Sequence, residues 1–140
     1  MERLSIGKRN EFSVWAKLLE NGIDVYPSLV DDKKIDGLVG FNGRYSEVQI
    51  KSGETWNNPR GISFEVCSKN PRRIFIIYNY LEKKYIYLTG KQITLEKTWK
   101  EPIRWEISQL RWNRKMLEKY GSQDFDALVK FLKTSKASKI

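Results

Sequence analysis

The dipeptide Asn42-Gly43 stands between two runs that alternate apolar and polar residues, Lys34 to Phe41 and Tyr45 to Ser52. A two-residue type I′ turn needs positive φ at both central positions, and Asn-Gly meets that need at the least steric cost, so the pair predicts a β-hairpin. The turn fixes the register. Phe41 faces Arg44, and counting outward pairs Val39 with Ser46, Leu38 with Glu47 and Asp36 with Gln49. Directly opposed Cβ atoms are roughly 4.5–5.5 Å apart, and Lys51 shares that face as the diagonal neighbour of Asp36. Val48 and Ile50 then point to the other face, where a core can hold the strand.

Around the hairpin the pattern predicts a helix from about Lys8 to Asn21, with Phe12, Trp15, Leu18 and Leu19 at helical spacing and Asn21-Gly22 as its stop. Strands are expected at Ile23 to Tyr26, Arg73 to Tyr80 and Lys84 to Leu88, with a weaker one at Ile62 to Val66. Helices are expected from Ile107 to Tyr120 and from Gln123 to Lys133, the second opened by Ser122 or Asp124. The order helix, strands, helices predicts an α/β or α+β fold: one domain over residues 1–132 with a mixed sheet, followed by a basic tail at 133–140. At 140 residues the chain has room for one core.

Composition removes many chemistries. The chain has no histidine and one cysteine, Cys67, which excludes Ser-His-Asp and Cys-His catalysis, histidine-dependent nuclease chemistry, a structural zinc site and an internal disulfide. Gly90-Lys91 has no glycine five residues before it, so there is no P-loop. Any catalysis must use carboxylates, amides, hydroxyls, Lys or Arg, together with a hard metal. Lys plus Arg number 26 against 17 acidic residues, a formal charge of +9. That surplus suits a polyanion, bound by displacing its counterions, or a solvated basic surface. Neither a signal peptide nor an apolar span of membrane length is expected, which points to a soluble, cytoplasmic protein.

Glu11 lies inside the apolar stripe of the first helix, whereas Glu20 projects from the other side. A carboxylate on a buried face wants a metal ion or a cation, unless it snorkels to water or pairs with Lys8 or Lys51. Asp24, Asp31 and Asp32 are read as turn and loop acids that could also serve as auxiliary ligands. Glu47 shares the face of Gln49 and Lys51 and could substitute for a carboxylate, though it faces Leu38. Phosphate contacts are expected from Arg60, Lys69, Arg72, Arg73, Arg111, Arg114 and Lys115, each of which alone also fits a solvated face. Trp99, Trp105 and Trp112 read most simply as core residues, an exposed one being able to stack on a base.

Gly7-x-x-x-Glu11 on the first helix, the phrase NGIDVYPSLVDDKKIDGLV and the strand SEVQIKS resemble the PD-(D/E)XK nuclease superfamily, the fold of Holliday-junction resolvases and many restriction enzymes. The likeness covers residues 7–53 and is closest to the branch with Gln at the second acidic position, as in some homing endonucleases. It implies a restriction-endonuclease-like mixed sheet and a Mg²⁺-dependent DNA endonuclease, with Mn²⁺ as substitute metal, working as a homodimer or higher oligomer. By matching position, Glu11 is the helix carboxylate, Asp36 the invariant metal-binding Asp, Gln49 the Asp/Glu position and Lys51 the catalytic Lys. Gln49 departs from the family pattern by offering a neutral amide oxygen, so Glu11 would have to supply the missing charge. A catalytically inactive nucleic-acid-binding module with the same fold is the alternative.

Overall fold

The N-terminal helix shows how the sheet is built, because its buried stripe differs from the one its apolar residues suggest. In a computed structural model, which describes residues 3–28, 35–53, 62–97, 103–106, 109–112, 118–120 and 123–134, helix α1 spans Arg3–Glu20. Among its residues 7–20, Glu11, Val14, Trp15 and Leu18 are buried, whereas Phe12 and Leu19 are 54% and 58% exposed. The buried set follows i, i+3, i+4, i+7, so the helix seats Val14 rather than Phe12 on the sheet. Fully burying side chains such as Leu18 contributes about 1.5–3 kcal/mol each, enough to decide which stripe faces inward. The helix ends as expected, with Asn21 Nδ2 donating to the Lys17 carbonyl at 2.8 Å.

Five strands follow in a sheet of order β1-β2-β3-β4-β5: β1 Asp24–Pro27, β2 Gly37–Phe41, β3 Arg44–Gly53, β4 Ile74–Asn79 and β5 Lys84–Thr89. All neighbours are antiparallel except β3 and β4, which are parallel. A parallel pair needs a crossover, and helix α2, Phe64–Lys69, lies on it. The β2–β3 hairpin has the predicted turn, with φ of 52° at Asn42 and 75° at Gly43, and Phe41, Val39 and Leu38 face Arg44, Ser46 and Glu47.

Helices cover both faces. On one, α1 and helix α4, Phe125–Thr134, pack on Val39, Val48, Ile50, Ile74, Ile76, Tyr78 and Tyr85. On the other, α2 and helix α3, Gly90–Lys97, enclose Phe75, Ile77, Ile86 and Leu88 with Ile62, Cys67 and Ile93. A separate antiparallel pair joins β6, Ile103–Glu106, to β7, Gln109–Trp112. The chain is thus an α+β fold with a five-stranded mixed sheet, an N-terminal helix and a C-terminal helix. Among the described residues no helix is long and apolar enough to cross a membrane.

Two local expectations give way, and one helix is added. The strand expected at Ile62 to Val66 is the start of α2, because Ser63 caps it by accepting from the Val66 amide at 3.1 Å and so satisfies an orphan donor of the first turn. The helix expected over Ile107 to Tyr120 is strand β7 at Gln109–Trp112 and helical only at 118–120; residues 107, 108 and 113–117 lie outside the described residues. Its alternation is period two: Ile103 pairs with Trp112 and Trp105 with Leu110, so apolar residues meet across the hairpin. Helix α3 was not expected, although Thr89-x-x-Gln92 forms a capping box: Gln92 Oε1 accepts from the Thr89 amide at 2.8 Å and Thr89 Oγ1 from the Gln92 amide at 3.1 Å. The C-terminal helix has Asp124 as its cap, with Oδ1 accepting from the Ala127 amide at 2.9 Å.

Candidate active site

The hairpin that the Asn-Gly turn sets in register carries the site to its open end. Ladder pairing stops at Gly37 and Val48, one step short of the expected Asp36–Gln49 pair. Asp36 is nonetheless fixed on both sides: its carbonyl accepts from the Ser28 amide at 2.8 Å and its amide donates to the Val48 carbonyl at 2.9 Å. Its Oδ2 accepts from the Ile50 amide at 2.5 Å. The side chain therefore takes an N–H that a continuing ladder would hand to main chain, and a charge-assisted bond replaces a neutral one. This is the physical reason the predicted pairing ends early.

Gly37 lets α1 come close. A Cβ there would meet the Tyr26 carbonyl at 2.7 Å and the Trp15 ring at 3.0 Å, so only glycine admits that approach. Trp15 in turn holds Glu11, its Nε1 donating to Glu11 Oε1 at 3.4 Å, while Lys8 Nζ stands 3.4 Å from Glu11 Oε2. The Glu11 side chain has the Lys8 partner that sequence allowed, but the contact is long. Burial raises the Glu11 carboxyl above the usual range and the charge of Asp36 raises it further, against the opposing pull of Lys8 and Trp15. Two carboxylates thus repel each other at the mouth of the hairpin.

Gln49 and Lys51 lie on the face of β3 opposite Val48 and Ile50, in register with Phe75 and Ile77 of β4. Gln49 is 2% exposed and its Oε1 has no hydrogen-bond partner. A buried acceptor left unmade costs about 1–3 kcal/mol, so the position is poor for stability alone. Lys51 is half-buried. The structure brings Glu11 within electrostatic reach of Asp36, which sits at the strand end against the Ile50 amide, whereas Gln49 and Lys51 lie on the face of β3 away from α1. Among the described residues no three Asp, Glu, His or Cys side chains are grouped so as to hold a metal ion.

The expected phosphate contacts divide. Lys69 is exposed and paired with Glu65 at 2.6 Å, and Arg72 is exposed. Arg73 is not a surface contact: it is 6% exposed, its Nη2 donating to Asn70 Oδ1 at 3.0 Å and lying 3.6 Å from Glu47 Oε2. The residue stands at the start of a strand buried along its whole length, which draws its stem inside. Glu47 is engaged by Arg73 and is not a spare ligand. Arg111 falls on β7 rather than on a helix, and Arg60, Arg114 and Lys115 lie outside the described residues, as do Asp31, Asp32 and Trp99. Asp24 is exposed on β1.

Besides Asn79, whose Oδ1 accepts from the Leu81 and Glu82 amides at the end of β4, two buried polar groups went unforeseen. Ser46 is one, and alternation could have found it, since 44, 46, 48 and 50 share the core face. Glu96 is the other, bound by residues 23 and 24 positions later, which no local pattern announces. No family model matches this chain, and no curated protein matches it significantly.

Proposed function

We propose that this protein is a metal-dependent endonuclease that hydrolyses phosphodiester bonds in DNA, with Asp36, Glu11 and Gln49 as magnesium ligands and Lys51 as the catalytic cation. The observation that carries the reading is the unpartnered, buried Gln49 Oε1 on a strand whose neighbouring Ile50 amide binds the Asp36 carboxylate. The donor set fits magnesium, which takes hard oxygens, keeps several waters and needs only one or two carboxylates. Glu11 and Asp36 supply negative charge that a dication would relieve, since the Asp36 charge disfavours ionisation of Glu11. Bound there, the metal supplies Lewis acidity toward water and the scissile phosphate. Asp36 keeps its position through its three hydrogen bonds, Gln49 offers a neutral oxygen that needs no proton removed, and the Lys51 ammonium stabilises negative charge developing on the phosphate. None of these roles requires histidine. The net charge of +9 holds the polyanion, and two strands call for two such centres in a homodimer.

The neutral amide at Gln49 favours one second reading, an inactive nucleic-acid-binding module. Incubation with supercoiled, linear, branched and single-stranded DNA in Mg²⁺ or Mn²⁺ separates the two. The enzyme nicks or cuts at least one substrate, chelator stops it, and Asp36→Ala or Lys51→Ala abolishes cleavage while DNA affinity persists. A folded wild-type protein that binds DNA and cleaves none of them with either metal overturns the proposal.

A further inference from the structure

On the opposite side of β3 from Gln49, a narrow cleft with about 10 Å³ of space, room for about one water, opens between the sheet and the end of α4. Its walls are apolar, Ile23, Val39, Phe41, Ile74 and Leu132 among them, and its polar lining is Ser46, Arg44 and Lys133. Ser46 is 1% exposed and its Oγ has no hydrogen-bond partner. Arg44 and Lys133 are half-buried, and among the described residues neither forms an ion pair. Lys133 Nζ stands 5.3 Å from the Phe41 ring centroid, which holds the ammonium by a cation–π contact. Among the described residues no acidic side chain lines the cleft.

We infer that this cleft is an oxyanion site that takes a phosphate group. Two full positive charges face it, against about half a negative charge from the carbonyl end of α4, so the balance favours an anion. Hydroxyl, guanidinium and ammonium are the donors that recognise phosphate oxygens, with Arg able to bond two at once. The cleft has room for about one oxygen-sized atom, so the phosphate would sit mainly against Arg44 and Lys133 and turn a single oxygen toward the buried Ser46 hydroxyl. The site lies across the sheet from Gln49 and Lys51 and does not depend on the nuclease reading.

The test is titration of the full chain with sodium phosphate at constant ionic strength, made up with sodium chloride and containing chelator, followed by amide NMR shifts and thermal unfolding. Saturable shifts centred on Gly40, Arg44, Ser46 and Lys133 are expected. Arg44→Gln and Lys133→Gln each weaken binding about ten-fold, the usual scale of a charge-assisted bond. Ser46→Ala weakens binding several-fold and leaves the phosphate-free protein at least as stable as wild type, because it removes an unsatisfied hydroxyl. Shifts that chloride reproduces, shifts that never saturate, or a Ser46→Ala variant that binds as tightly as wild type overturn the site and leave only a water in the cleft. A short oligonucleotide then identifies the source. Competition with phosphate at the same amides assigns the site to polymeric phosphodiester, and binding by inorganic phosphate alone assigns it to the free ion.

Discussion

Glu11 and Glu96 are both buried carboxylates on helices, and their surroundings could hardly differ more. Glu96, 5% exposed on α3, accepts from Lys119 Nζ at 2.6 Å and from the Tyr120 hydroxyl, both through Oε1. Burial and the Glu96 carboxylate hold the Tyr120 phenol well above its ordinary value, so it remains a donor throughout the working range. Glu11, 8% exposed on α1, has among the described residues two polar contacts of 3.4 Å, both with its own helix, and faces the charge of Asp36. A buried acid answered by a cation and a phenol from a remote segment is a clasp. One answered weakly from its own helix and set against a second acid is an incomplete charge arrangement, and such arrangements gather where a ligand completes them.

The largest expected difference is catalytic. Glu11→Gln lowers DNA cleavage at least about 100-fold, the scale of losing one group that stabilises a charged transition state, whereas Glu96→Ala leaves cleavage per folded molecule within about two-fold of wild type. Rate measurements at saturating DNA, corrected for the folded fraction, decide it. Equal losses in the two variants would make Glu11 a structural acid like Glu96.

Stability inverts the ranking. Glu96→Ala removes both clasp bonds and costs about 2 kcal/mol, lowering Tm by roughly 6–10 °C in calorimetry. A shift under about 2 °C would mean the segment at 118–120 is held by packing instead. Magnesium sharpens the contrast further. At ten times its Kd it stabilises wild type and Glu96→Ala by about 1.4 kcal/mol and leaves Glu11→Gln unchanged, as binding linkage requires if Glu11 is a ligand. Equal stabilisation of all three proteins would remove Glu11 from the ligand set.

How much of this was legible depends on the range over which each signal acts. The Asn42-Gly43 turn and the pairing from Phe41 to Leu38 follow from local turn chemistry, and the structure keeps them. Asp36 was placed at the right strand end, but its carboxylate bonds the Ile50 amide instead of meeting Gln49 in the ladder, since a side chain can displace a main-chain acceptor and periodicity counts only main-chain steps. The stripe on α1 was drawn through Phe12 and Leu19 by hydrophobicity, although the sheet takes Val14 and keeps Glu11 beside them. The capping box at Thr89 and the alternation at Ile103 to Trp112 are local signals that the sequence carries by itself. Arg73 and Glu96 belong to neither case: their burial is set by partners contributed from other strands and segments, and a single sequence carries no sign of those meetings.

The smallest effect isolates the electrostatics of Glu11. Burial first and Asp36 second raise its carboxyl above the ordinary value of 4.5. The folded chain therefore holds this proton more tightly than the unfolded chain does. Between the ordinary value and the raised one the native state binds more protons, so stability falls as pH climbs through that window and the full cost persists above it. Acidification below about 4.5 protonates Glu11 in both states and relieves the cost. Glu11→Gln keeps an oxygen for the Trp15 indole and removes the charge. It should gain about 1 kcal/mol at pH 7, a Tm rise of a few degrees in chelator, and that gain should shrink to nothing as pH falls past 4.5. Carboxylates remote from Glu11 are common to both proteins and cancel, so the difference curve reports Glu11 and its coupling to Asp36. A gain independent of pH would mean altered packing, and a loss at pH 7 would mean that Lys8 already satisfies the charge, making Glu11 a second clasp rather than half of a cation site.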